Sequence, residues 1–271
     1  MDSNCAPTSS FTTFPLLHTP FAMGDSHSIF GDPPHGCSGG AFREVEVLVD
    51  GTLAGLAPVF PWLPSNMTNA LRNTVNDPAP GVQALNFMPF RVDLTPFAGV
   101  LNDGMPHTIT VRMLNEAEDV FVGGQLVLYT DHGRAIVPGA VTANTLAPAS
   151  WTEDSTLAQT NFTAPGSGAL FHHLTGSVTT RARRDFHVDG YVDTSRGRIR
   201  STVIQSNRFT DVVTWDVSGA DNVRMDPWFG SFRQKVRLSS NVDRTSRRTL
   251  GTTLLSEDKL ATSYPLAIDY F

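Results

Sequence analysis

Residues 42–49 alternate, with Val45, Val47 and Val49 on one face and Phe42, Glu44, Glu46 and Leu48 on the other, and the run ends on Asp50-Gly51. A period of two closed by such a pair predicts a strand and a hairpin, with 52–59 as the partner. Strand-like texture returns at 90–94, 107–114, 124–131 and 134–142. It returns again at 169–178, 182–192, 199–208, 212–217, 232–238 and 247–255. Turn-forming residues separate these segments at Asp193 to Gly197 and Ser218 to Asp221. No amphipathic helix of three turns stands out. Many short strands at this spacing predict an all-β protein, an antiparallel jelly roll or β-sandwich with a second, smaller antiparallel β region.

The pattern also divides the chain. Residues 1–39 are rich in Ser, Thr, Pro and Gly without a sustained period and read as an irregular arm. Residues 40–147 form the first β domain, interrupted by a Pro-rich loop holding Pro58, Pro61, Pro64, Pro78 and Pro80. Loops of that length inside a domain tend to carry function. A Ser/Thr/Ala/Gly stretch over 148–168 is expected as a linker, and 169–271 as the second β region. The last residues, Ala267 to Phe271, still look like a strand, so truncation is expected.

Composition narrows the function classes. Hydrophobic content of 40% with 17% charged residues fits a folded globular chain rather than a disordered one. A net charge of -6 argues against nucleic-acid binding, which needs surplus cations. The short run Arg181-Ala182-Arg183-Arg184 reads as a solvated sheet face. No apolar run of about 18 residues is present, so no membrane span is expected. Met1-Asp2-Ser3-Asn4 lacks the positive start of a secretory signal, so no export address is expected in the chain as written. Cys5 and Cys37 allow one disulfide; two unpaired thiols are the equal alternative. If bonded, they would tether the arm at a gain of about 3 to 4 kcal/mol.

Three motifs in order carry more information than the bulk properties. They are Gly39-Gly40-Ala41-Phe42-Arg43-Glu44-Val45 running into Asp50-Gly51, then Val92-Asp93-Leu94-Thr95-Pro96-Phe97-Ala98-Gly99, then Tyr129-Thr130-Asp131-His132-Gly133. Together they resemble the central region of the peptide N-glycosidase A family, secreted amidases that cut N-linked glycans from asparagine. The resemblance covers roughly residues 28–145 and continues less tightly through Phe186 to Gly197. It implies an N-glycosylated protein or glycopeptide as substrate, an extracellular setting and an acid preference. It also implies no metal or organic cofactor, and a further β domain ahead of the Phe-Arg-Glu-Val strand as a missing partner.

Hydrolysing that amide needs an activated water, a hold on the developing oxyanion and a proton for the departing nitrogen, tasks suited to carboxylates in unlike environments. Glu44 is the first candidate, because it shares a strand face with Phe42 and Leu48, an apolar setting that raises a carboxyl pKa. Arg43 points the other way and would clamp a sugar or carboxylate if the strand twists there. The alternative is that both pair structurally with neighbouring strands. Asp131 and His132 close a strand at a hairpin and complete the catalytic candidates, with a plain surface turn as the competing reading. Glu46 reads as solvated. Asp50 and Asp103 read as turn formers, Asp93 as a cap for its loop, and His107 as a motif position.

Phe60, Trp62 and Phe87 lie on or beside the Pro-rich loop, where flat rings would cover sugar faces. Arg72 joins them as a substrate-binding candidate, although the Trp-Arg-Pro element usual in the family reads Leu71-Arg72-Asn73 here. Gly36-Cys37-Ser38-Gly39-Gly40 has nucleophile-elbow spacing without the strand and helix that geometry requires. His172 and His173 point to opposite faces of a strand, and no zinc-type spacing appears. The expected function is therefore a glycan-releasing amidase. The alternatives are a non-catalytic glycan-binding β-sandwich of the same family and a purely structural β protein.

Overall fold

The computed structural model describes residues 42–59, 90–114, 124–163, 170–220 and 231–270. Within them, nine strands form two antiparallel sheets. The smaller sheet contains β1 (Glu44–Val49), β2 (Thr52–Pro58) and β3 (Ile109–Met113) in the order β2-β1-β3. Asp50 and Gly51 take φ of 47° and 79°, the left-handed pair that a two-residue hairpin requires, and join β1 to β2. An irregularity in the β1–β2 ladder between Val47 and Leu48 shifts the register. β1 is buried on both faces, so one open face does not alternate with one closed face along it.

The larger sheet contains β4 (Gly139–Asn144), β5 (Trp151–Thr163), β6 (Leu170–Thr194), β7 (Gly197–Ala220), β8 (Ser231–Leu250) and β9 (Thr253–Tyr270). Its order is β4-β6-β7-β8-β9, and β5 also pairs with β6. β4 takes the stretch of β6 near Val192 and β5 the stretch before Ala182, so the two lie end to end along one edge. At about 3.3 Å per residue, β6 reaches roughly 80 Å.

Several expected segments thus merge. The segments expected at 169–178 and 182–192 are, from Leu170 on, one strand, as are 199–208 and 212–217, because the β6–β7 ladder runs unbroken from Thr194–Gly197 to Phe171–Ala220. The polar residues between the apolar runs keep the period of two and interrupt nothing. The turn expected at Ser218 to Asp221 is absent through Ala220, which lies in β7. The strand expected over 247–255 is instead two strands, parted by Gly251 at φ 59°. The stretch expected as a linker holds β5, and residues 90–94 lead into a 3-10 turn at Thr95–Phe97 rather than forming a strand. Residues 124–130 are exposed and without strand pairing among the described residues.

The smaller sheet packs on the inner face of the larger one. Val49, Ala54 and Leu56 meet Phe186, Val188 and Phe97 in one core cluster. Phe42 meets Ala182, Phe209, Leu238 and Leu266 in a second, with Trp151 against it. The 3-10 turn closes onto β6 at Gly190, where any Cβ would overlap the Pro96 carbonyl. Asp93 caps this turn as expected, accepting bonds from the Thr95 amide at 3.0 Å and hydroxyl at 2.5 Å. The chain is all-β, two antiparallel sheets in a sandwich.

Candidate functional site

Position parity decides which side chains meet between the layers. Along β6, Ala182, Arg184, Phe186 and Val188 face inward; along β7, Gln205, Asn207 and Phe209 do; along β8, Ser240 does. Arg184 pairs in register with Asn207, and the next inward row is Ala182, Phe209 and Ser240. β1 lays Glu44 over these rows. The Glu44 carboxylate is 1% exposed. It accepts a hydrogen bond from Arg184 Nη1 at 2.7 Å and a longer one from Asn207 Nδ2 at 3.5 Å. Arg184 Nη2 donates to the Ala147 carbonyl at 2.6 Å, at the gap between β4 and β5 where the edge backbone leaves the ladder. Asn207 is held in turn by Gln205, whose amide also reaches the Leu56 carbonyl.

Two residues along, Glu46 is equally buried but differently served. Arg112 on β3 donates to its Oε2 through Nε at 2.9 Å and Nη2 at 2.5 Å, and Arg184 approaches its Oε1 at 4.0 Å. The solvated face expected for Glu46 is therefore corrected: β3 covers it and supplies its counter-ion. The Arg run is corrected at one position. Arg181 and Arg183 stay exposed beside Asp154 and Asp185, whereas Arg184 has inward parity and belongs to the interior.

Burial pushes the Glu44 carboxyl up to about 7, against the opposing pull of Arg184 and Asn207 and with a smaller push from Glu46. Arg43, half-buried, is lowered to about 10 by desolvation, and its Nη1 donates to the Phe42 carbonyl at 3.1 Å. Beside Glu44 lies a small cavity of about 10 Å³ with a largely apolar lining, Phe42, Pro58, Ala182 and Phe209, and with Arg43, Arg184, Asn207, Arg208 and Ser240 at its margin. A volume of that order is at the lower bound for a single water, and so apolar a lining offers one few partners.

The other expected residues are not brought to this point. Asp131 lies at the β6–β7 turn, where its carboxylate accepts bonds from the Ser195 amide and hydroxyl, each at 2.6 Å, and from the Gly133 amide at 3.0 Å. The Ser195 hydroxyl bond leads the causes that lower it to about 2. Along extended β6, Ser195 is roughly 35 Å from Arg184, so Asp131 and its exposed neighbour His132 do not share chemistry with Glu44. His107 bridges Asp50 at 2.7 Å and Asp103 at 2.9 Å, and these hydrogen bonds raise its pKa. Phe60, Trp62, Arg72, Phe87, Cys5 and Cys37 lie outside the described residues. Sequence reasoning missed Arg184, Asn207, Arg112 and Ser240; the available signal was their parity with the apolar residues beside them.

Among the described residues no group of three or more His, Cys, Asp or Glu is arranged to hold a metal, and no helix is long and apolar enough to cross a membrane. Residues 32–131 match the family model of peptide N-acetyl-beta-D-glucosaminyl asparaginase amidase A. Over 168 residues the chain is 24% identical to a Prunus dulcis protein named peptide-N4-(N-acetyl-beta-glucosaminyl)asparagine amidase A. That alignment covers 61% of this chain and spans about a quarter of the relative, 26%. No solved structure matches. The matched region contains β1, with Glu44, and runs on to the Asp131 turn, so the part of the chain that is similar to the peptide N-glycosidase A family is the part that carries the smaller sheet.

Proposed function

We propose that the protein is an amidase releasing N-linked glycans from asparagine of extracellular glycoproteins or glycopeptides, with Glu44 as its acid–base group. The observation that carries this reading is a motif carboxyl at the sheet interface, paired with Arg184 and Asn207 and pushed up to about 7 by burial. A group of that pKa can take a proton from water and return it to a leaving nitrogen at modest cost in either direction. Arg184 holds the carboxylate in place and limits how far burial raises it. Because that proton cycle starts from the ionised carboxylate, it gives kcat/KM an ascending limb near pH 7.

A second reading is favoured by the same burial. With its carboxylate 1% exposed and paired to Arg184, Glu44 can serve as a link between two sheets in a non-catalytic glycan-binding module. A defined N-glycopeptide incubated with the purified chain separates the two. Mass spectrometry detecting conversion of the glycosylated Asn to Asp, lost in Glu44→Gln, supports catalysis; binding without conversion supports the module.

A further inference from the structure

Resting on the amidase reading, we infer that Arg112 is a positioning residue: by neutralising Glu46 it leaves the Arg184 guanidinium to Glu44, and so governs the protonation of the proposed acid–base group from the edge of the smaller sheet. Four side chains form one line of alternating charge. Arg112 stands directly opposite Glu46 in the β1–β3 register and turns its Nε and Nη2 onto one Glu46 oxygen at 2.9 and 2.5 Å. Arg184 reaches from the larger sheet to both glutamates. It lies 2.7 Å from Glu44 Oε1 and 4.0 Å from Glu46 Oε1. Both carboxylates are buried, whereas Arg112 is half-exposed.

Two buried carboxylates and one interior guanidinium do not cancel. Glu44 and Glu46 sit two residues apart on one strand, roughly 7 Å, where like charges shielded from water repel. Arg184 can satisfy one of them fully, and which one depends on whether the other has a cation of its own. Arg112 supplies that cation to Glu46. Arg184 Nη1 is then given to Glu44, with Nη2 tied to the Ala147 carbonyl at 2.6 Å. Without Arg112, Glu46 would be a buried charge lacking its partner, and drawing Arg184 across the 4.0 Å gap would relieve it. Glu44 would lose its counter-ion and gain an unscreened negative neighbour, both of which favour its protonated form. Among the described residues the charged groups facing Glu44 are Arg184 from β6 and Glu46 on its own strand. Pro58 on β2, Asn207 on β7 and Ser240 on β8 are uncharged, and Arg43 and Arg208 stand at the cavity margin, one position out of phase with Glu44 and Asn207.

The protonation midpoint of Glu44, followed without substrate by the infrared carboxyl band that disappears in Glu44→Gln, reads this arrangement directly. Arg112→Gln is expected to raise the midpoint by about one pH unit, as a single neighbouring charge does. Adding Glu46→Gln removes the competitor and should return the midpoint to the wild-type value or below, while Arg112→Lys, which keeps the charge, should hold it near the wild-type value. A residue that only braced the two sheets would change stability in Arg112→Gln but not the midpoint. Where Arg112→Gln does not fold, Glu46→Gln decides: it should lower the midpoint, and Arg112→Gln added to that background should move it no further. An unmoved midpoint in folded Arg112→Gln, or in Glu46→Gln, overturns the proposal. On a defined N-glycopeptide the ascending limb of kcat/KM should follow the midpoint, a loss of about tenfold on that limb in Arg112→Gln. A chain whose infrared midpoint shifts as expected while no glycopeptide is converted keeps Arg112 in its role and sinks the amidase reading instead.

Discussion

Glu44 and Asp131 are both motif carboxylates, both accept short hydrogen bonds, and both abut β6, yet one is pushed up to about 7 and the other held at about 2. The partners do not explain the difference. Glu44 faces a full positive charge in Arg184 at 2.7 Å, whereas Asp131 has two amides and a hydroxyl. What separates them is water. Between the sheets the ionised form loses its hydration, and a single guanidinium restores only part of it. At the turn the carboxylate keeps its hydration and gains three donors. The proposed proton-transfer role therefore falls to the interior carboxyl, and the exposed one holds a turn.

The largest expected effect comes from moving the layers apart between these two points. Gly190 lets the Pro96 backbone touch β6, and Gly190→Ala would drive a Cβ into that carbonyl. We expect loss of about 4 kcal/mol or more, read as failure to fold or a collapsed urea midpoint. A Gly190→Ala protein of wild-type stability would mean the layers are not in contact there. Next comes the pair itself. Arg184→Met leaves Glu44 buried without its counter-ion and should cost about 3–5 kcal/mol at pH 8, most of it recovered when Glu44→Gln is added. Additive losses in that cycle would show the two side chains to be uncoupled.

How far the site was legible in the sequence follows the same division. Glu44 could be found because its motif is local and its strand neighbours Phe42 and Leu48 announce an apolar setting. The apolar face was only partly right, since Glu46 shares it and is buried too, rescued by Arg112 from a strand 66 positions away. Arg184 lies 140 positions from Glu44 in the chain, and nothing in a run of arginines says which one turns inward until its register with Ala182 and Phe186 is known. The all-β class was readable from alternation, but strand length was not. Polar residues such as Thr179, Thr180 and Arg181 look like breaks in a single sequence and are ordinary rungs once neighbours on both sides supply the ladder.

A second interior carboxyl sharpens the comparison. Asp211 is buried opposite Thr180, neither has a side-chain partner among the described residues, and burial alone raises Asp211 to about 7. For Glu44 and Asp211 the folded pKa exceeds the unfolded one, so the native state binds more protons between about pH 4 and 7. Stability is then greatest in acid and falls as pH rises through that window, by roughly 3 to 4 kcal/mol for each group. Asp211→Asn should remove its share of the slope, leaving a flatter dependence of urea midpoint on pH and a more stable protein at pH 8. An unchanged slope would show that solvent reaches Asp211 in the native state.

Asp131 gives the smallest and opposite response. Its folded pKa is depressed, so whatever it contributes is present above the unfolded value near 4 and is lost only as pH falls toward about 2. Because the group is exposed, its effect should be confined to the turn: in Asp131→Asn the Gly133 and Ser195 amides should exchange faster with solvent while the global midpoint at pH 7 barely moves. A large global loss from Asp131→Asn, or a change in any turnover comparable to that of Glu44→Gln, would mean that the turn and the sheet interface are coupled across roughly 35 Å of strand. An extended ladder with its own register along the whole length gives no such coupling, since each rung is satisfied locally and a fault at the end frays the end.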